Sequence, residues 1–147
     1  MANSVIRSVG GKSRPAFAVS LGKKTLISPL CALVGCSIGS GCYIATAVMI
    51  FQGALIGDNC RIGAGSIVHL RTALPSGVHI GLRHIVAPKE GGYVETSDVA
   101  LAREAITKAD FFRTVFDESA GEKDLHSNVM DRLLKEVLDW KDSAADR

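Results

Sequence analysis

The sequence predicts an all-β solenoid, a parallel β-helix of three to four coils followed by C-terminal helices, and two columns of residues at one fixed period predict it. Every sixth residue from 32 to 80 is aliphatic: Ala32, Ile38, Ile44, Ile50, Ile56, Ile62, Val68, Leu74 and Ile80. The residue four further on is small or β-branched: Cys36, Cys42, Val48, Ala54, Cys60, Ser66, Thr72 and Val78. A period of six fits neither a helix at about 3.6 residues per turn nor a strand at about 2, so it belongs to a coil of repeated short strands.

Three hexads close one triangular coil, so residues eighteen apart stack at about the 4.8 Å strand spacing. The expected stacks are Ala32/Ile50/Val68, Ile38/Ile56/Leu74 and Ile44/Ile62/Ile80. Glycine or alanine follows most of the aliphatics (Gly39, Ala45, Gly57, Gly63, Gly81), where a tight corner tolerates little bulk. A slip of one residue would turn the aliphatic column outward, so the register is strongly specified.

Along the chain, residues 1–25 read as a basic arm, with Gly10, Gly11 and Pro15 preventing long regular structure. Residues 26–88 read as the β-helix, in regular coils with no inserted loop. Residues 89–147 read as the linker Lys89-Glu90-Gly91-Gly92 and helices that cap the coil or pack on a neighbour. Asp98 is a candidate N-cap for a helix carrying Val99, Ala102 and Ile106 at helical spacing. A second helix is expected from Glu122 to Lys141, with Leu125, Val129, Leu133 and Val137 on one stripe.

The 147 residues carry a net charge of +2 and no apolar run near the roughly 20 residues of a membrane span, so neither a nucleic-acid footprint nor a span is indicated. Cys36, Cys42 and Cys60 occupy the small inward position, and with Cys31 they read as buried reduced thiols rather than as disulfides or metal ligands. No acidic residue precedes Asp58, while Arg7, Lys12, Arg14, Lys23 and Lys24 make the start basic. A cytoplasmic protein is the expectation, with a mitochondrial one as the alternative if this leader is a transit peptide.

The runs Gly35-Cys36-Ser37-Ile38-Gly39 and Ile56-Gly57-Asp58-Asn59-Cys60-Arg61-Ile62-Gly63 resemble the superfamily of hexapeptide acyltransferases and gamma-class carbonic anhydrases. Val68-His69-Leu70-Arg71-Thr72-Ala73-Leu74-Pro75, His79-Ile80-Gly81 and Asp110-Phe111-Phe112-Arg113-Thr114-Val115-Phe116 tilt the resemblance toward the gamma-carbonic-anhydrase-like branch. It implies a left-handed coil and a homotrimer, in which three histidines shared across a subunit boundary hold a zinc ion that activates water. The positions matching the first histidine pair hold Leu30 and Gly35, and no histidine precedes His69, so no metal and no cofactor are expected. His79 and His84 have the right spacing but the wrong hexad phase, and His84 reads as a packed residue near the end of the coil.

His69 follows the core residue Val68, one coil above Phe51 and two above Leu33, whereas the other corners carry glycine, alanine or proline. The bulky edge of Leu33, Phe51 and His69 is therefore the expected contact of a homotrimer. The candidate catalytic residues are His69, Arg71 and Gln52. Two classes of function follow. One is a zinc-free structural or binding module, free-standing or part of a larger assembly. The other is an enzyme: an acyltransferase with His69 as general base and acyl-coenzyme A as its donor, or a residual carbonic anhydrase.

Overall fold

The structure, a computed structural model, describes residues 3–11, 14–109, 113, 115, 129–131 and 133–135. It is a left-handed parallel β-helix of about four coils, built from strands mostly two residues long. The first coil contains β1 (Val5–Arg7), β2 (Val9–Gly11), β3 (Arg14–Phe17), β4 (Ser20–Leu21) and β5 (Leu26–Ile27). The second holds β6 (Ala32–Val34), β7 (Ser37–Ile38) and β8 (Tyr43–Ile44). The third holds β9 (Met49–Ile50), β10 (Leu55–Ile56) and β11 (Arg61–Ile62), and the fourth β12 (Ile67–Val68), β13 (Ala73–Leu74) and β14 (His79–Ile80).

Three parallel sheets form the faces: β1-β6-β9-β12 continuing into β15 (Ile85–Lys89) and β16 (Gly92–Thr96), then β4-β7-β10-β13, then β5-β8-β11-β14. The aliphatic columns fill the interior, where Ile44, Ile50, Ile62 and Val68 have no exposed surface or almost none. The inward small residues do more than fill space. Cys42 and Cys60 donate their thiols to Gly57 O at 3.1 Å and Pro75 O at 3.2 Å, and Ser66 donates its hydroxyl to Gly81 O at 2.7 Å, each tying one coil to the next. All four cysteines are free and buried, and desolvation pushes the Cys36 thiol up to about 11 and the Cys42 thiol upward.

Two expectations about the first coils are corrected. The interior residue at the start of the second coil is Leu33, fully buried and paired with Ile50, not Ala32, which pairs with Met49. Only four residues separate Leu33 from Ile38 instead of five, and the shortened corner lets leucine rather than alanine fill the column. Leu33 is therefore a core residue and not an edge residue. Residues 1–25 are also more than an arm. β1 pairs in parallel with β6, β4 with β7 and β5 with β8, so the solenoid begins at Val5. Between β1 and β4 the chain leaves the coil as an antiparallel hairpin, β2–β3.

At the other end, residues 89–92 are a hairpin turn: β15 pairs antiparallel with β16 from Ile85↔Thr96 to Lys89↔Gly92. Glu95 fixes this hairpin, accepting from Gly81 N–H at 2.8 Å and lying 2.5 Å from His84 Nδ1. Helix α1 (Val99–Lys108) follows, and Asp98 caps it as expected, its carboxylate accepting from Ala100 N–H at 2.7 Å and Leu101 N–H at 3.4 Å. Ala102 is its buried residue, packing α1 on β15 and β16. Of the expected second helix, residues 129–131 and 133–135 are helical with Val129 buried; its other positions lie outside the described residues. Among the described residues no helix is long and apolar enough to cross a membrane.

Candidate functional site

The three corners of the prism are built differently. In the second and third corners the residue after the aliphatic is glycine wherever the next coil presses closest, as at Gly57 and Gly63, while Ala45 and Pro75 fill the same position elsewhere. A Cβ on Gly57 would lie 2.5 Å from Ser76 N, and one on Gly63 would lie 2.4 Å from Gly81 O. The fourth residue of each regular hexad turns the chain in the left-handed region, as Gly41, Ala47, Gly53, Asn59, Gly65 and Arg71 do, with φ between 53° and 73°.

The first corner, between β9 and β10 and again between β12 and β13, carries Phe51-Gln52-Gly53 below His69-Leu70-Arg71. Register places Val34, not Leu33, beneath Phe51. The Phe51 and His69 rings stack with centroids 5.7 Å apart and planes tilted by 39°. Arg71 donates its backbone N–H to Gln52 O at 3.0 Å. Gln52 and Leu70 sit at the third hexad position, which is exposed at Ser40, Asp58 and Ser76. Here both are buried, Leu70 completely.

Hairpin β2–β3 closes over this corner. A Cβ on Gly35 would meet Phe17 Cβ at 2.6 Å and Val9 Cγ2 at 2.9 Å, and one on Gly53 would meet Phe17 Cε1 at 3.2 Å. The hairpin lies before residues 26–88, whose coils carry no inserted loop of their own. Gly10 and Gly11, expected to break regular structure, belong to strand β2 itself, where a Cβ on Gly10 would lie 2.5 Å from Ala16 Cα across the hairpin.

Two buried side-chain polar atoms at this corner have no hydrogen-bond partner: Gln52 Oε1 and His69 Nδ1. Burial lowers the His69 pKa, so the ring is neutral at neutral pH. An enclosed N–H without an acceptor costs more than an enclosed lone pair, so the proton belongs on Nε2. The structure therefore brings Gln52, His69 and Arg71 to one corner, with Phe51, and sends Leu33 to the core.

The other histidine candidates are elsewhere. His79 is exposed on the outer side of β14, and His84 is engaged with Glu95. Burial alone would raise the Glu95 pKa, but the Gly81 N–H and His84 outweigh it and hold the carboxyl below its ordinary range. Leu30 lies on the third corner, exposed and at φ 63°, away from Gly35. Among the described residues no group of three or more His, Cys, Asp or Glu side chains is placed to hold a metal ion.

Above the first corner lies a cleft of about 620 Å³ between α1 and the β15–β16 hairpin, with Arg71 on its edge.

No protein-family model matches the chain. It is similar to the Bifunctional protein GlmU of Pelobacter propionicus, 37% identical over 94 residues. The match takes in 56% of this chain and 20% of that protein, so the chain spans about a fifth of the length of the relative it matches. The similarity and the solenoid topology agree on a hexapeptide-repeat β-helix.

Proposed function

We propose that this chain is a zinc-free, gamma-carbonic-anhydrase-like homotrimer that serves as a structural or binding module, its subunits meeting at the first corner. The observation that carries the reading is the state of His69. Its Nδ1 is enclosed and unpartnered, and burial lowers its pKa, which together favour a neutral ring with the proton on Nε2. In that state the imidazole offers a donor to a neighbouring subunit rather than a base or a metal-binding lone pair. Gly35 supports the same reading. The resemblance places a ligand histidine there, yet any Cβ would run into Phe17 and Val9 of the hairpin.

Metal analysis of the purified protein tests it. The expected result is no stoichiometric zinc, a melting temperature unchanged by EDTA, and no carbon dioxide hydration even in Leu30→His, because a catalytic zinc needs three ligands and an open position. Stoichiometric zinc with EDTA-sensitive hydration would overturn it.

A second reading, acyl transfer with His69 as general base, draws support from the similarity to the bifunctional protein and from the hairpin walling the corner. It requires Nε2 to give up its proton to the enclosed nitrogen. Acetyl-coenzyme A turnover that disappears in His69→Ala is the outcome that would favour it.

A further inference from the structure

We infer that the cleft between α1 and the β15–β16 hairpin binds a small amphiphilic anion, its charged head on Arg71 and its apolar body against α1. About 620 Å³ lies within the range of small-molecule sites. The helix wall is one stripe at the spacing of a single face, Leu101, Glu104, Ala105 and Lys108, and the opposite wall is Pro88 and Val94. Leu101 remains 53% exposed there, an apolar side chain left without cover.

The rim charges decide the sign of the ligand. They are Arg71, Lys89, Lys108, Glu90 and Glu104. Glu104 and Lys108 neutralise each other at 2.8 Å, and the hydrogen bond from Lys108 keeps the Glu104 carboxyl below its ordinary range. Lys89 adds a weaker pull on Glu104 without forming a salt bridge, and Arg71 has no carboxylate partner among the described residues. Set against Glu90, the rim keeps an excess positive charge, and its unengaged fork is the guanidinium, the group best shaped for a carboxylate or phosphate.

Hydrogen bonds and packing within the chain hold the walls in place. Glu95 ties β16 to Gly81 and His84, Asp98 caps α1, and Ala102 seats the helix on the hairpin. The Arg71 stem passes close to Gly53, where an added Cβ would lie 3.2 Å from its Cγ. All these residues belong to one chain, and Arg71 also borders the corner proposed for the trimer contact.

Titration calorimetry on the full chain with octanoate, octyl phosphate, 1-octanol and acetate tests it. Saturable binding of octanoate or octyl phosphate is expected, whichever is tighter naming the head group, with 1-octanol and acetate weaker by about tenfold or more. Arg71→Gln is expected to remove the preference for the anion over 1-octanol, and Leu101→Asp to weaken both anions. The inference is overturned if neither anion saturates the protein, if 1-octanol binds as tightly as octanoate, or if Arg71→Gln leaves the anion affinity unchanged. Sedimentation of the same samples keeps a failed ligand test distinct from a failed trimer.

Discussion

The second and third corners of the prism and its first corner share one hexad, yet they solve opposite problems. At Gly39, Gly57 and Gly63 successive coils lie in backbone contact, and an added Cβ would come within 2.7 Å of the next coil or of a side chain seated on it. At the first corner the same positions carry Phe51 and His69, whose rings stack outside the coil, and hairpin β2–β3 packs over the glycines below. Smooth corners close the solenoid on itself. The bulky corner instead carries its rings outward beside the hairpin, and it is the contact proposed for the trimer.

The interior column sets the upper limit for substitutions at any corner. Ile56→Asp would bury an unpaired carboxylate in a stack with no donor, at a cost of about 4 kcal/mol or more, enough to unfold a marginal domain. Urea denaturation or loss of the far-ultraviolet β signal checks this, and a normally folded variant would refute the inward placement of Ile56.

Next in size is a paired test of the corners. Gly63→Ala must push a methyl against the Gly81 backbone, and about 3 kcal/mol of destabilisation is expected. Gly53→Ala meets only the Arg71 stem and the Phe17 ring but sits at φ 73°, so about 1 kcal/mol is expected. Equal costs by chemical denaturation would break the distinction between the corners.

The repeat made most of the solenoid legible, because a period of six with an aliphatic and a small column has few other solutions. Its failures came where the period lapses. The corner after Leu33 is one residue short, which made Ala32 look like the column member. The first coil holds a hairpin of its own, which separates Val5–Arg7 from Ser20–Leu21 and hides both from a six-residue count. Gln52, His69 and Arg71 were readable as a cluster from their stacking. Leu70 was not, since only the closed corner turns the third hexad position inward. The cleft depends on how α1 seats on a hairpin whose turn, residues 89–92, reads as a linker in the sequence.

A smaller effect separates the C-terminal hairpin from the coils. Glu95 is held below its ordinary pKa, so its contribution is fully present above the unfolded value of 4.5 and is lost as pH falls through the lower folded value. Protection against hydrogen exchange in β15 and β16 should therefore fall in acid below that value before that of the coils does. Glu95→Gln should show faster exchange at neutral pH and a flatter acid dependence. Identical acid profiles for the variant and the natural protein would contradict this role of the carboxylate.

The bulky corner itself is tested most directly by sedimentation equilibrium of the natural protein beside Phe51→Glu. A trimer at micromolar concentration that dissociates to folded monomers in the variant is expected, because the charge falls on the corner and not in the column. A natural protein that sediments as a monomer, or a trimer indifferent to Phe51→Glu, would contradict the first corner as the surface where subunits meet.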